Sequence, residues 1–201
     1  MDERFEDLLD PDPLVQFRAW HREAVEKQAP QPDAMMLATS TKDGHPSARI
    51  VLLKMADERG FVFVSNYLSR KGKEIEGNPE GALVFHWPTL ARQIRIEGTL
   101  SRTSDKESDE LFAARARDHQ LSSVASPQSA VITLEELDRS YAAAERHFEG
   151  KSVPRPAHWG GYRLRPRQME FWQHRFARMN DRVVYVRHKE GSPWERMRLA
   201  P

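Results

Sequence analysis

The chain has no cysteine, which excludes disulfides, thiolate nucleophiles and the common structural zinc sites and is compatible with a reducing cytoplasm. It also lacks an excess of charge of either sign. The 31 Lys and Arg face 30 Asp and Glu, so no global field draws it to nucleic acid or to an anionic membrane, and any useful charge is local. No apolar run approaches the roughly 20 residues that span a bilayer. The acidic stretch from Met1 to Asp10 carries no basic segment ahead of an apolar one, so the chain reads as cytoplasmic, with no membrane partner. Also missing are a glycine-rich dinucleotide fingerprint, a P-loop and any ligand spacing among the eight histidines, so no metal site is expected.

What is present is enough chain, 201 residues, to bury one core, and a single domain over 1–201 is expected. Asp12-Pro13 gives an N-cap followed by proline at the first helical position, and Leu14, Phe17, Trp20 and Ala24 follow at helical spacing. A helix from about 12 to 27 is predicted. Short strands then follow at Met35 to Thr39, Ser47 to Lys54, Phe61 to Asn66, Ala82 to Trp87 and Arg92 to Arg102, with turn signals at Lys42-Asp43-Gly44 and Asp57 to Gly60. Ser104 with Glu107 and Thr133 with Glu136 have the capping-box pattern and predict two helices outside the sheet. The chain closes with strands at Trp159 to Leu164, Met169 to Trp172, Val183 to Arg187 and Glu195 to Leu199, the first two separated by Pro166. Many antiparallel strands with peripheral helices argue for an α+β protein on a closed or partly closed barrel.

Four stretches could carry chemistry. Ser69-Arg70-Lys71-Gly72-Lys73 follows a strand and opens a short helix running to about Gly77. Cations in a first turn oppose the helix dipole at a cost of a few tenths to about 1 kcal/mol, whereas a bound phosphate would meet free N–H groups and both side chains. A solvated basic turn is the competing reading. Arg49-Ile50-Val51-Leu52-Leu53-Lys54 is a strand with a cation at each end, five residues apart and so on opposite faces, or a plain core strand. Gln93 is a strand amide that could serve a heterocycle edge or simply face water. Glu170-Phe171-Trp172-Gln173, followed by Arg175, Arg178, Asn180, Asp181 and Arg182, sets aromatics beside arginines, as a flat anionic ligand requires. Core packing of Trp172 and neutralisation by Asp181 explain it equally.

Taken in order, these blocks resemble the pyridoxine/pyridoxamine 5'-phosphate oxidase family from about Asp12 to Pro201. The matches are Arg-Ile-Val-Leu-Leu-Lys at 49–54, Ser-Arg-Lys at 69–71, Arg-Gln at 92–93, Gln-Ser at 128–129, Trp-Gly-Gly at 159–161, Glu-Phe-Trp at 170–172 and the ending Arg-Leu-Ala-Pro. The resemblance implies an FMN-binding split barrel, a homodimer with FMN at the interface, and a C-terminal dimerisation and substrate region at about 158–201. It places Arg49, Ile50, Val51, Leu52, Leu53, Lys54, Val64, Ser65, Arg70, Lys71, Gln93, Gln128, Ser129, Trp172 and Arg182 on FMN-contacting positions, with Arg70 and Lys71 on its phosphate. Lys54 and Arg115 match positions that grip the substrate phosphate, and Arg178 matches one over the substrate ring. The implied reaction moves hydride from pyridoxine or pyridoxamine 5'-phosphate to the flavin, with dioxygen as final acceptor, giving pyridoxal 5'-phosphate and hydrogen peroxide.

The departures fall on the substrate side. Leu111 replaces the family's usual tyrosine, His119 a serine, Asn180 the histidine of an Arg-x-His motif, and Ser122-Ser123-Val124 the usual Gly-Ala-Trp. The N-terminal arm lacks paired arginines that cover the substrate. His119 could donate to phosphate in place of a lost hydroxyl, and Asn180 could orient the reacting group beside Arg178. Two rivals follow: an oxidase of the same fold acting on another ring, such as a dihydrophenazine, and a non-catalytic FMN or pyridoxal phosphate binding module.

Overall fold

The computed structural model describes residues 4–189 and 191–201; residues 1–3 and 190 lie outside it. Asp12 caps the first helix, α1 (Pro13–Glu26), by accepting from the Leu14 amide at 2.8 Å. Leu14, Phe17, Trp20 and Ala24 turn inward as the spacing predicts. Strands β1 (Ala34–Ser40) and β2 (Pro46–Leu52) form the expected hairpin, which turns through Gly44 at φ +91°. The predicted strand Ser47 to Lys54 ends early. Lys54 sits in the link to a short strand, β3 (Met55–Asp57), and its amide donates to Val62 instead of extending β2, so it does not share a strand with Arg49.

Strand β4 (Gly60–Asn66), helix α2 (Arg70–Gly77) and strands β5 (Glu80–Trp87) and β6 (Arg92–Arg102) follow as predicted. Three helices, not two, then leave the sheet: α3 (Asp105–Ala113), α4 (Arg117–Ala125) and α5 (Leu134–His147). Both capping boxes are formed, on α3 and α5. Helix α4 has no side-chain cap, which removes the signal a sequence reader uses.

The larger correction concerns the C-terminal third. The strands expected on either side of Pro166 are one strand, β7 (Trp159–Gln173). Proline survives there because the ladder with β6 is irregular between Glu97 and Gly98, so the missing N–H falls at a bulge. The first half of β7 pairs with β4 and its second half with β8 (Asp181–Val186), which in turn pairs with β9 (Glu195–Arg198). Strand order β2-β1-β5-β6-β7-β4-β3, entirely antiparallel, gives the curled sheet of a split barrel.

Phe17 and Trp20 of α1 close this barrel against Phe61, Phe85, Trp87 and Phe171. A second cluster, Phe112, Leu121, Ala125, Ala144, Val153 and Trp159, packs α3–α5 onto the start of β7. Arg163 joins the two regions. Its guanidinium is 8 % exposed and meets Asp57 at 2.5 Å and Glu107 at 2.9 Å, while Arg59 bonds the same two carboxylates from outside. No helix among the described residues is long and apolar enough to cross a membrane.

Candidate functional site

The basic turn is built by its neighbours. Ser69 caps α2, its hydroxyl accepting from the Gly72 amide at 3.3 Å and donating to the Asn66 carbonyl at 2.7 Å. Glycine at 72 is a packing requirement, since a Cβ there would lie 2.0 Å from the Tyr67 carbonyl oxygen. The helix start is thereby pressed against the end of β4. Around it converge Lys71 Nζ, which donates to Gln128 at 3.0 Å and Ser65 at 3.1 Å, and the Arg70 amide, which donates to Ser129 at 3.2 Å. Burial, with Arg49 close by, pushes the Lys71 pKa down, against the opposing pull of Glu74. The groups closest to Lys71 are neutral acceptors, so an anion would relieve this cation cluster and fits the turn chemically.

Beneath the turn lies Glu74, which sequence reasoning missed. Its side chain is 4 % exposed and accepts from Thr39 at 2.5 Å, Ser47 at 2.6 Å, Arg70 at 2.8 Å and Arg49 at 3.2 Å. Burial alone would raise its pKa, but these four donors outweigh burial and hold it at about 2. Glu107 is likewise held at about 2, burial being overcome by its capping bonds to Ser104 and by Arg163 and Arg59.

Both carboxylates bind protons less readily folded than unfolded, so their stabilisation is complete above the ordinary value of 4.5 and is lost as pH falls toward 2. On the order of 2–3 kcal/mol is at stake for each. The melting temperature should therefore drop between pH 5 and about pH 2, and the drop should shrink in a Glu107→Gln variant; scanning calorimetry across that range checks it.

A second group of residues lies in one register across three strands: Gln93 on β6 pairs with Trp172 on β7, which pairs with Arg182 on β8. Arg182 is oriented by Glu170 at 2.8 Å and by the Ala200 carbonyl at 3.0 Å. A third lies where α3 meets α4. The Arg115 guanidinium stacks 5.0 Å above the Trp159 ring and donates to the His119 carbonyl at 3.3 Å, while its Nε is buried with no partner among the described residues. Burial lowers the Arg115 pKa, against Asp118. Leu111 packs into the adjoining apolar cluster with Val64, and the His119 ring is exposed, 3.8 Å from Asp118.

The remaining candidates point outward. Lys54 and Arg178 are exposed and make no side-chain hydrogen bond or ion pair with any described residue. Arg178 follows Ala177 in left-handed backbone, φ +62° and +57°, a costly geometry for residues with a Cβ. Asn180 braces this loop, its side-chain oxygen accepting from the Arg175 amide at 3.1 Å. In β2 and its link, Ile50 and Leu52 are exposed, Val51 packs on the core and Leu53 is buried. One chain thus assembles the phosphate-like corner and the Gln93, Trp172, Arg182 row, but joins neither to Arg115 nor to Arg178 by any hydrogen bond or ion pair among the described residues.

The split barrel and the cation-rich corner at the start of α2 define a fold and a candidate anion site, and comparison with known proteins identifies the family. Residues 21–147 match the family model described as pyridoxamine 5'-phosphate oxidase, and residues 159–201 match the pyridoxine 5'-phosphate oxidase C-terminal dimerisation region. A pyridoxine/pyridoxamine 5'-phosphate oxidase of Rubrobacter xylanophilus is 55 % identical over 98 % of this chain and 90 % of its own. One from Burkholderia mallei is 49 % identical over 96 % and 91 %. The crystal structure of PhzG from Burkholderia lata 383 in complex with tetrahydrophenazine-1-carboxylic acid superposes with a TM-score of 0.92 at 31 % identity, covering 100 % of this chain and 99 % of that one. The chain therefore belongs to the pyridoxine/pyridoxamine 5'-phosphate oxidase family. FMN is its cofactor.

Proposed function

We propose that the protein oxidises pyridoxine 5'-phosphate or pyridoxamine 5'-phosphate to pyridoxal 5'-phosphate, as a cytoplasmic homodimer with FMN at the interface. The observation that carries this reading is the corner at α2, where Arg70, Lys71, Ser65, Gln128 and Ser129 converge with a surplus of positive charge. There Arg70 and Lys71 hold the flavin phosphate, while Gln93, Trp172 and Arg182 serve the ring system and Arg49 to Lys54 line the approach. Held there by these residues, FMN would supply the redox chemistry, a hydride acceptor for the substrate carbon bearing the amine or alcohol, with dioxygen as final acceptor and hydrogen peroxide as its product.

The chain's own part is position and charge. Among the described residues Lys54 and Arg115 have no carboxylate partner at hydrogen-bond distance, and the Arg115 Nε, buried without a partner there, is a donor suited to an acceptor such as a substrate phosphate. Arg178 covers the ring, Asn180 orients the reacting group, and His119 adds a donor near Arg115. No protein nucleophile is needed.

A homodimer explains why the substrate candidates are dispersed in one chain. Met36, Ile50 and Leu52 leave a contiguous apolar face on the β1–β2 edge, each between 45 % and 60 % exposed, with Phe176 and Met179 bare around Arg178. A second copy would cover these and could bring Arg178 toward the partner's flavin corner.

The test is anaerobic mixing of flavin-loaded protein with pyridoxine and pyridoxamine 5'-phosphates while flavin absorbance is followed. Bleaching by either is the expected result, several-fold or more faster than with the unphosphorylated forms, and Arg178→Ala should slow it with flavin still bound. The likeness to PhzG favours one second reading, an oxidase of a phenazine-type ring. Equal rates with and without the phosphate, or bleaching only by a dihydrophenazine, would establish that reading instead.

A further inference from the structure

We propose that Glu74 is a positioning residue that, itself held by Arg49 and the hairpin hydroxyls, fixes the Arg70 guanidinium for the flavin phosphate, and so makes the chain select FMN over riboflavin. The proposal rests on the placement of that phosphate at the start of α2.

Glu74 stands one helical turn after Arg70 and points inward, toward the hairpin of β1 and β2. Its two oxygens divide the work. Oε1 takes Arg70 Nε at 2.8 Å, and Oε2 takes Thr39, Ser47 and Arg49 Nη2. Thr39 and Ser47 are register partners across the hairpin, and both hydroxyls also accept from the Arg49 guanidinium. One carboxylate, two hydroxyls and two guanidinium groups thus close into a single set.

What this set leaves free is as informative as what it ties. Among the described residues the Arg70 side chain is anchored through Nε alone and is 65 % exposed, which leaves its terminal nitrogens available to a ligand. A free arginine on a helix surface would have to be ordered when the phosphate binds, and that ordering reduces affinity; here it has already happened. The local charge also comes out right. One carboxylate opposes Arg49, Arg70 and Lys71, so the corner keeps a positive surplus for an anion while its buried members are partnered.

A plain packing staple between α2 and the hairpin would make a different prediction, because it would affect both flavins alike. The deciding experiment titrates FMN and riboflavin separately into flavin-free protein, following flavin fluorescence, for wild type, Glu74→Gln, Arg70→Ala and the double variant. Glu74→Gln keeps the side chain's shape but not its charge or second acceptor, and should weaken FMN about tenfold while riboflavin binding is unchanged. In the Arg70→Ala background the same substitution should cost clearly less, since part of its effect passes through Arg70. Equal loss for both flavins, no loss, or tighter FMN binding would overturn the proposal. If Arg70→Ala itself left FMN binding unchanged, the placement of the phosphate would be wrong. If Arg70→Ala weakened FMN and Glu74→Gln did not, only the role of Glu74 would fall.

Discussion

Arg70→Ala should leave a folded protein that has lost about 10- to 100-fold in FMN affinity, the range expected when one charge-assisted hydrogen bond to a phosphate is removed. Its structural cost should be small. The side chain is mostly exposed, and Glu74 keeps its three other donors when Arg70 Nε is gone. Lys71→Ala should act in the same direction, but it also strips Ser65 and Gln128 of a shared donor, so some loss of order in the 126–130 segment should accompany it. Equilibrium titration with FMN, with riboflavin as the control lacking phosphate, separates the two contributions. Parallel losses for both flavins in Arg70→Ala would mean that the corner had collapsed rather than lost a phosphate contact.

The largest loss of stability should come from a residue far from any flavin contact. Arg163→Ala leaves Asp57 and Glu107, each about one-fifth exposed, with the outer Arg59 as their one cationic partner among the described residues. Breaking a fully buried pair from one side costs about 3–5 kcal/mol, and partial exposure together with Arg59 brings the expectation to about 2–4 kcal/mol. For a chain of this size that is a fall in melting temperature of roughly 5–15 °C. Arg59→Ala, which removes the exposed member of the same network, should cost under about 1 kcal/mol. Urea unfolding of both variants at one fixed protein concentration checks the contrast, because self-association would otherwise enter the comparison. Similar costs for the two would show that the network is held from the surface.

The contrast between these two arginines also shows what can be read from a sequence. Arg70 was legible because its position is locally wrong: a cation where the helix dipole disfavours one calls for an explanation within a few residues. Arg163 was not, since its partners are 106 and 56 residues away and come together only when β3, α3 and β7 meet. The same division runs through the fold. Local signals such as Asp12-Pro13, the two capping boxes and Gly44 placed their elements correctly. Pro166 misled because a local rule, that proline breaks a ladder, gave way to a bulge in its own strand, where Arg167 is the extra residue against Glu97 and Gly98. Helix α4 escaped because nothing caps it. At the site, family blocks pointed to the cations and amides, whereas Glu74 lay hidden as an ordinary acidic residue four positions after Arg70, a spacing that usually means a surface pair.

Strand β7 runs unbroken past Pro166, pairs at its start with the strand that leads into the basic turn, and carries Trp172 near its end. The chain therefore meters the span between the proposed phosphate corner and the proposed ring-binding row by counting strand residues, not by the length of an adjustable loop. Adding or removing one residue beyond the bulge would turn Trp172 to the opposite face of the sheet and uncouple the two ends at once. A change of length in the hairpin turn at Gly44 leaves that register alone, whereas one in this strand does not, so under the proposed binding mode β7 is a ruler cut to the cofactor.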